Sequence, residues 1–411
     1  MNRNCQFNSS TYNNNTFIQN NEIINSNKND DGKISKFFNS IYLFFKKIII
    51  SDDKGNYNDK ILLEKKFNES FNYYRENYKN KINYEIENPE NSFHGLINLL
   101  NDCYILSFLQ ILFHTPNFIK ILKQLNKNNL NEENIINYLI LVSKYPFNVD
   151  YFYKFKQLLG IINLEYSKPW PNDSQEFGID LINFLISKTN NQPIEEKEYE
   201  SKYCNDKEII QIKKNIYENY ISNNQKKNND LEEMFLFYQI DIFCSSEYKK
   251  PKISENLSIE LTFPNFKNYN IIKIEELLDY KYNYDFKDNQ IDSNKIIIKS
   301  KIASLPNILI ISINRCLVNQ NINNTEVIYE ETLDLEKYID NDLYNIKSNK
   351  TKYNLYAINE CIHFNRASHN ICRIKINNNW YIFDDEKKAR NLFSINKRSN
   401  SVIGLFYIKE N

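Results

Sequence analysis

The pattern of apolar residues changes from helical to strand-like along this chain of 411 residues. Between Gly95 and about residue 186, apolar side chains recur at helical spacing, as in "CYILSFLQILF". From about residue 235 the chain consists of short segments rich in Ile, Tyr and Phe, such as "FLFYQIDIF", "NILIISINR" and "VIGLFYI". A run of helices followed by a run of strands predicts an α+β fold with a mostly antiparallel sheet.

The same patterns divide the chain into three regions. Residues 1–32 are rich in Asn, show little periodicity and are predicted to be disordered. Residues 33–92 are predicted to form a helical extension that ends at the break "ENPENS". Residues 93–411 are predicted to form the main domain, with a strongly polar insertion at about 187–232.

Residues 33–50, "KISKFFNSIYLFFKKIII", form an amphipathic stretch within the extension. On a helix, the Ile and Phe side chains share one broad face and most of the Lys side chains lie elsewhere. The stretch is too short and too charged for a typical membrane span. Two interpretations remain open: a helix that docks on the main domain or on a partner, and a helix that lies on a membrane surface.

Composition excludes several classes of function. The chain contains 52 Lys and Arg and 52 Asp and Glu, and this balance gives no general attraction to nucleic acid. Its six glycines are widely separated, which excludes the Gly-rich nucleotide-binding motifs and the GxSxG motif of serine hydrolases. Seven cysteines and an Asn-rich start without an apolar core predict a reduced, intracellular and cytoplasmic protein.

Cys103 is the candidate nucleophile. It follows the polar pair Asn101-Asp102 and begins an apolar helical segment. The unpaired amides at a helix N-terminus stabilise a thiolate, which is the reactive form of cysteine. From the residues alone, a buried core thiol remains the alternative, since free cysteine is among the most buried residue types.

A cysteine nucleophile needs a histidine to take its proton and a third group to orient that histidine. Of the four histidines, His94 and His114 are too close to Cys103 along the chain, which leaves His363 and His369. His369 begins the segment "HNICRIKI", and the turn "NNN" and the segment "WYIFDDE" follow it. A hairpin of this length brings Asp384 beside His369, whereas His363 lies in the preceding segment.

Four stretches of the chain resemble conserved boxes of the ubiquitin-specific proteases and occur in the same order. "GLINLLNDCYILSFLQILFHTPNF" (95–118) resembles the cysteine box, and "NDSQEF" (172–177) resembles the D-A-x-E-F stretch. "LPNILIISINRC" (305–316) resembles the L-P-x-x-L-x-I-x-L-x-R-F strand. The histidine box and the closing strand are similar to "YNLYAI", "ASHN", "WYIFDD" and "LFYI" within residues 353–408.

This resemblance implies a papain-like cysteine protease fold with a helical thumb, a palm and antiparallel fingers. It implies cleavage after the C-terminal Gly-Gly of ubiquitin, with Cys103 as the nucleophile, His369 as the general base and Asp384 as its orienting group. Asn98 would donate to the oxyanion, and Asp173 would pair with an arginine near the ubiquitin tail. Ubiquitin or ubiquitinated proteins are therefore the expected partners, and no cofactor is required.

The family's zinc-binding cysteines have no counterpart in the predicted fingers. The chain contains no CxxC pair, and Cys204 and Cys244 are isolated from each other and from other cysteines in the sequence. We therefore expect no metal ion and expect the fingers to be held together by packing.

The chain also departs from the family pattern close to the proposed nucleophile. Leu100 replaces a glycine and would be strained if this position required positive φ, and Asp102 replaces a threonine and would disfavour the neighbouring thiolate. Ser368 replaces the glycine that precedes the histidine. Further departures are Leu106, Gly178 and Asn370. These departures keep two alternatives open: a catalytically impaired ubiquitin-binding pseudo-protease, and a protease for another ubiquitin-like modifier.

Overall fold

The computed structural model describes residues 57–410, with several internal gaps. The gaps are residues 82, 128–133, 190–209, 216, 219–229, 245–248, 265–269, 284–285, 288–296, 317–321, 344–349 and 365–366. The predicted disordered segment 1–32 and the amphipathic stretch 33–50 lie outside the described residues, as does most of the predicted insertion 187–232.

Most of the helices lie in the first half of the described chain. They are α1 (Tyr57–Asn77), α2 (Cys103–Phe113), α3 (Phe118–Lys127), α4 (Ile135–Lys144), α5 (Val149–Leu158), α6 (Ser174–Thr189), α7 (Asp230–Phe235) and α8 (Ile274–Asn283). No single helix among the described residues is long and apolar enough to cross a membrane. Taken together, α2 and Phe118–Asn126 have the required length and composition, but the two helices are bent by 94° relative to each other.

The strands follow in the second half. They are β1 (Phe237–Cys244), β2 (Lys249–Asn256), β3 (Ile259–Thr262), β4 (Ile271–Lys273), β5 (Phe286–Lys287), β6 (Ile297–Ile302), β7 (Ile308–Asn314), β8 (Glu326–Ile328), β9 (Thr332–Asp334), β10 (Lys352–Phe364), β11 (Ala367–Ile376), β12 (Asn379–Phe383), β13 (Arg390–Leu392), β14 (Arg398–Ser399) and β15 (Val402–Lys409).

The central sheet has the strand order β13-β12-β11-β10-β15-β7-β3, and β9 pairs with β10 beside it. A second sheet has the order β2-β1-β6-β5, and a third has the order β14-β8-β4. Of the ladders in the described residues, β3–β7 and β4–β8 are parallel and the others are antiparallel. The predicted α+β class with a mostly antiparallel sheet is therefore confirmed.

A tight turn sets the register of the hairpin β11–β12. Ile376 pairs with Asn379, and the two residues between them, Asn377 and Asn378, have φ of 50° and 64°. Positive φ at both central residues is the geometry of a type I′ turn, and asparagine tolerates it better than most residues do. This turn directs β12 back along β11, so the residues after Phe383 return to the start of β11.

Helix α2 is buried along its whole length between the other helices and the central sheet. Its apolar residues pack with Phe177 of α6, with Ile374 of β11 and with Phe406 of β15. An added Cβ at Gly178 would lie 2.0 Å from the Phe108 ring, so the glycine allows α2 and α6 to approach closely. The departure at Gly178 is thus matched by the phenylalanine that occupies this space.

A small buried polar network also fixes α2 against its neighbours. Ser174 Oγ donates to the Tyr104 carbonyl oxygen at 2.7 Å, and Asn359 Nδ2 of β10 donates to Ser174 Oγ at 2.8 Å. Because these groups are buried and hydrogen-bonded, they restrict how α2, α6 and β10 can shift relative to one another.

Helix α1 packs on the outer side of α5. The ring of Phe71 lies 4.7 Å from that of Tyr153, and Phe67 stacks on the same ring at 5.8 Å. Farther along α1, Tyr74 is almost completely buried. The helix therefore covers part of the domain surface with aromatic side chains.

Candidate active site

Cys103 is the first residue of α2 and is 6% exposed. The backbone carbonyl of Asp102 accepts hydrogen bonds from Ile105 and Leu106 N–H at 2.8 and 2.9 Å, which closes the first turn of the helix. The thiol therefore lies where the remaining amides of a helix N-terminus favour negative charge.

The loop before Cys103 places its positive φ at Asn101 rather than at Leu100. Asn101 has φ of 57°, and its side-chain amide donates to the Pro169 carbonyl at 3.0 Å. Leu100 has negative φ and is buried. Leu100 is therefore not strained, because the left-handed position is occupied by Asn101, and asparagine tolerates this conformation.

Asp102 does not face the thiol as an isolated carboxylate. It is 0% exposed and forms an ion pair with Lys156, which is 1% exposed. Its Oδ2 also accepts a hydrogen bond from Leu100 N–H at 3.3 Å. Burial raises the pKa of Asp102, whereas Lys156 and the backbone amides oppose this shift. The prediction that Asp102 disfavours the thiolate did not take account of Lys156, whose positive charge compensates the carboxylate.

His369 lies between Cys103 and Asp384. Its Nε2 donates to Asp384 Oδ1 at 2.7 Å, and the interaction with the Cys103 side chain contributes to the raised pKa of the imidazole. Since Nε2 carries the proton directed at the carboxylate, Nδ1 is the nitrogen available to the thiol. Lys387 donates to the other oxygen of Asp384 at 2.7 Å and fixes the carboxylate.

The electrostatic interaction between His369 and Asp384 favours a charged imidazole. Burial alone would lower the pKa of His369, but the charge of Asp385, the hydrogen bond with Asp384 and the interaction with Cys103 raise it well above its ordinary value. Burial would raise the pKa of Asp384, but the interaction with His369 and Lys387 lowers it instead. The arrangement can therefore accept a proton from the thiol and hold it on the imidazole.

Asp385 is the second acidic residue of the turn and is oriented toward Asn98. Its φ is 50°, and its Oδ2 lies 4.0 Å from His369 Nε2. Burial raises its pKa to about 6, although the interaction with the Asn98 side chain lowers its pKa. Its backbone carbonyl accepts from Leu96 N–H at 2.9 Å, and a Cβ at Gly95 would lie 2.1 Å from the same oxygen. Gly95 is therefore required for the close approach of the cysteine loop to this turn.

Glu386 completes an acidic run that is partly buried. Burial and the charge of Asp385 raise the pKa of Glu386 to about 7, and its buried Oε2 has no hydrogen-bond partner. Burial is the main reason that the pKa of the Tyr74 hydroxyl on α1 is raised, and the charges of Glu386 and Asp385 raise it further. Tyr74 therefore lies close to these two acidic residues. Helix α1 therefore reaches the turn that carries the candidate orienting acid.

The variant Glu386→Gln should be less sensitive to alkaline pH than the parent protein. A carboxyl group with a raised pKa stabilises the folded state fully below its unfolded pKa of 4.5, and this contribution is lost as pH rises through about 7. We expect the unfolding free energy of the variant, relative to the parent, to increase by about 1–3 kcal/mol between pH 5 and pH 8. Denaturant unfolding at the two pH values measures this change.

The matched control for this experiment is Glu336→Gln, because Glu336 is exposed. The control should show no difference between the two pH values. An equal response of the two variants would mean that burial of Glu386 has no energetic consequence.

The structure places the other predicted residues as follows. Asn98 Oδ1 accepts from Asp102 N–H at 3.0 Å, so its amide nitrogen is directed away from the loop. The exposed Asp173 directly precedes α6, and its Oδ1 accepts from Gln175 and Glu176 N–H at 2.7 and 3.1 Å. This contact stabilises the helix N-terminus.

The alternative histidine, His363, is not brought into this cluster. It pairs across the strands with Ser368. Burial and the charge of Arg315 lower its pKa to about 4, so it is a poor proton acceptor at neutral pH.

Sequence reasoning did not identify Asn370 as a neighbour of the thiol. Its Nδ2 donates to Cys103 Sγ at 3.7 Å, and the residue is 5% exposed. Alternation along a strand assigns His369 and Asn370 to opposite faces, so the pattern gives no reason to place both at one sulfur atom. The replacement of the family's tyrosine at this position was the available signal.

Among the described residues, one group of side chains has the spacing of a metal site: His369, Asp384 and Asp385, with ligand atoms within 4.8 Å of one another. The hydrogen bond between His369 and Asp384 already accounts for this spacing. We therefore interpret the cluster as a hydrogen-bonded histidine.

The chain matches a known protein family. The family model for ubiquitin carboxyl-terminal hydrolase matches residues 94–407. A search of curated proteins gives no significant match.

Solved structures of the SAGA deubiquitinating module, which contains Ubp8, Sgf11, Sus1 and Sgf73, are similar in fold. The module bound to ubiquitin aldehyde matches with 18% identity and a TM-score of 0.55, covering 83% of this chain and 74% of that chain. The yeast module with a mutant Sgf73 matches over the same shares with 18% identity and a TM-score of 0.57. A module with substituted Ubp8, bound to monoubiquitin, gives 17% identity and a TM-score of 0.54 over the same shares. The predicted papain-like fold is confirmed.

Proposed function

Because the chain belongs to the ubiquitin carboxyl-terminal hydrolase family, we propose that it is a thiol-dependent deubiquitinase. It would hydrolyse the isopeptide or peptide bond after the C-terminal glycine of ubiquitin. The observation that carries this proposal is the arrangement of Cys103, His369 and Asp384, in which the imidazole hydrogen-bonds the carboxylate and interacts electrostatically with the thiol. An inactive ubiquitin-binding module would have no need of this arrangement.

The first half of the reaction would form a thioester. His369 takes the thiol proton, and Cys103 Sγ attacks the carbonyl carbon of the terminal glycine while the C=O electron pair moves to oxygen. An N–H of the Asn98 side chain would donate to this oxyanion, and such a donor contributes about 2.7–4 kcal/mol to the transition state. The carbonyl then re-forms, and the departing amine takes the proton from His369.

The second half would release ubiquitin. His369 removes a proton from water, and the hydroxide attacks the thioester carbonyl. The sulfur leaves as thiolate and recovers its proton from the imidazolium. Asp384 keeps its charge throughout and holds the imidazole in the orientation that both steps require.

Asp173 would contribute to binding rather than to chemistry. Its carboxylate is exposed at the N-terminus of α6, and Glu176 is exposed one turn later. We propose that this acidic helix end pairs with a cationic residue near the ubiquitin tail. The solved modules with the same fold include complexes with ubiquitin aldehyde and with monoubiquitin, which supports ubiquitin as the partner.

The test uses the full chain and ubiquitin with a fluorogenic group on its C-terminal glycine. We expect turnover with release of the fluorophore, together with covalent labelling of Cys103 by ubiquitin that carries an electrophilic C-terminus. Parallel probes made from other ubiquitin-like modifiers should label the protein more slowly. Labelling by another modifier alone would reassign the substrate, and binding of ubiquitin without turnover or labelling would identify a pseudo-protease.

A further inference from the structure

The catalytic mechanism uses neither member of the ion pair formed by Asp102 and Lys156. The two side chains are 0% and 1% exposed, and Asp102 directly precedes the nucleophile. Two charges removed from water are tolerated only when they pair closely and their remaining polar atoms are satisfied. A pair of this kind next to a reacting atom therefore needs an explanation beyond packing.

Asp102 connects the parts of the loop that surround Cys103. Its carboxylate accepts from Leu100 N–H at 3.3 Å, and its own N–H donates to Asn98 Oδ1 at 3.0 Å. Its carbonyl accepts from two amides in the first turn of α2. One residue thus joins the proposed oxyanion donor to the helix that carries the thiol.

The contact with Asp102 also decides which end of the Asn98 amide faces the reaction. Because Oδ1 receives the Asp102 N–H, the amide nitrogen points away from the loop and can reach Asp385. In this orientation the amide NH₂ of Asn98, which is its donor group, is free of the loop and can donate a hydrogen bond to the oxyanion. A shift of Asp102 would therefore move or rotate the proposed oxyanion donor.

Lys156 contacts Oδ1 of Asp102, the carboxylate oxygen that Leu100 N–H does not contact. It extends from α5, and its ammonium lies 5.8 Å from the centre of the Phe67 ring of α1. Phe67 in turn stacks on Tyr153 of α5. Helix α1 precedes the residues that the family model matches, and it supplies the aromatic cover over the lysine.

We propose that Lys156 is a positioning residue for the reaction, because its charge holds Asp102, and through Asp102 the side chain of Asn98, in the orientation that the transition state requires. This inference rests on the proposed hydrolase function. The charge of Lys156 also cancels that of Asp102, which otherwise opposes a neighbouring thiolate. The two charges form one unit, since either one alone would be buried without compensation.

A double-mutant cycle tests this unit. The variants are Lys156→Met, Asp102→Thr and the double substitution; methionine keeps an unbranched apolar stem, and threonine keeps an oxygen that can accept from Leu100 N–H. We expect each single substitution to lower kcat at least about 30-fold with KM changed less than about threefold, and the double variant to recover at least about tenfold over either single. Circular dichroism and thermal unfolding establish which variants are folded.

A second readout does not depend on ubiquitin. The rate at which iodoacetamide alkylates Cys103, followed by mass spectrometry of its peptide across pH, reports the environment of the thiol directly. We expect Lys156→Met to shift this pH profile to higher pH, because the uncompensated Asp102 carboxylate disfavours the thiolate. Asp102→Thr, which removes that carboxylate, should not shift the profile to higher pH, and the double substitution should restore the profile of the parent. If the parent protein does not cleave ubiquitin, the proposed function fails, but the alkylation profile still decides the role of the pair.

The matched control is Lys120→Met, since Lys120 is exposed on α3. It should leave kcat and the alkylation profile unchanged. Single variants that are folded and as active as the parent would overturn the inference. If the singles do not fold, the double variant decides: a folded, active double supports the coupled pair, whereas an unfolded double, or one no better than the worse single, overturns it.

Discussion

Replacing Cys103 with alanine should lower kcat for ubiquitin hydrolysis by at least about 10⁴-fold, because the substitution removes the thiol that would form the thioester. The affinity for ubiquitin should stay close to that of the parent, since the substitution removes one sulfur atom from a nearly buried position and leaves α2 in place. The fluorogenic ubiquitin substrate measures the first quantity, and calorimetric titration with ubiquitin measures the second.

The matched control for this variant is Cys361→Ala. Cys361 is another free thiol and is half-buried on β10. Burial raises its pKa to about 12, so it is protonated and unreactive at neutral pH. The control should therefore retain turnover. If Cys103→Ala retained turnover instead, the nucleophile would be elsewhere; if it lost binding and turnover together, the alanine would have disturbed the fold.

The parts of the site that sequence could predict are those set by local pattern. Helical spacing after Cys103 gave the start of α2, and strand alternation with the Asn-rich turn gave the hairpin that leads from His369 to Asp384. Both depend on neighbours within a few residues or across one turn. For the same reason the α+β order of elements could be predicted, since it follows from the change in apolar period along the chain.

The parts that sequence could not predict depend on contacts between distant segments. Lys156 lies 54 residues after Asp102, and no local rule connects an acid in a loop with a lysine on another helix. The tertiary structure moved the left-handed residue to Asn101, which removed the strain considered for Leu100. Departures from a family pattern therefore have to be judged together with the residues that compensate them in space.

The packing of the N-terminal helix α1 could not be predicted from the sequence either. Its apolar positions predicted a helix in the extension before the main domain, but not what the helix covers. In the structure, Phe67 lies over Lys156 and Tyr74 lies near Asp385 and Glu386. Helix α1 therefore contacts the surroundings of both halves of the candidate site, the cysteine loop and the acidic turn.

Replacing Asp384 with alanine is expected to lower kcat by about 10³–10⁴-fold while ubiquitin binding changes little. Asp384 accepts the His369 Nε2–H at 2.7 Å, so it selects the tautomer that presents Nδ1 to the thiol and stabilises the imidazolium. Without this bond the pKa of His369 should fall, because one of the contributions that raise it is lost. The alkaline limb of the kcat/KM profile should therefore move to lower pH.

The neighbouring Asp385 provides the matched comparison for this prediction. Its Oδ2 lies 4.0 Å from His369 Nε2, beyond hydrogen-bond reach, although its charge also raises the histidine pKa. Asp385→Asn keeps the size of the side chain and should reduce kcat less than Asp384→Asn does. Only the nearer carboxylate, that of Asp384, is placed to fix the tautomer and hold the ring. An unchanged rate in Asp384→Ala, or a larger loss at Asp385, would contradict this assignment and move the orienting role to Asp385.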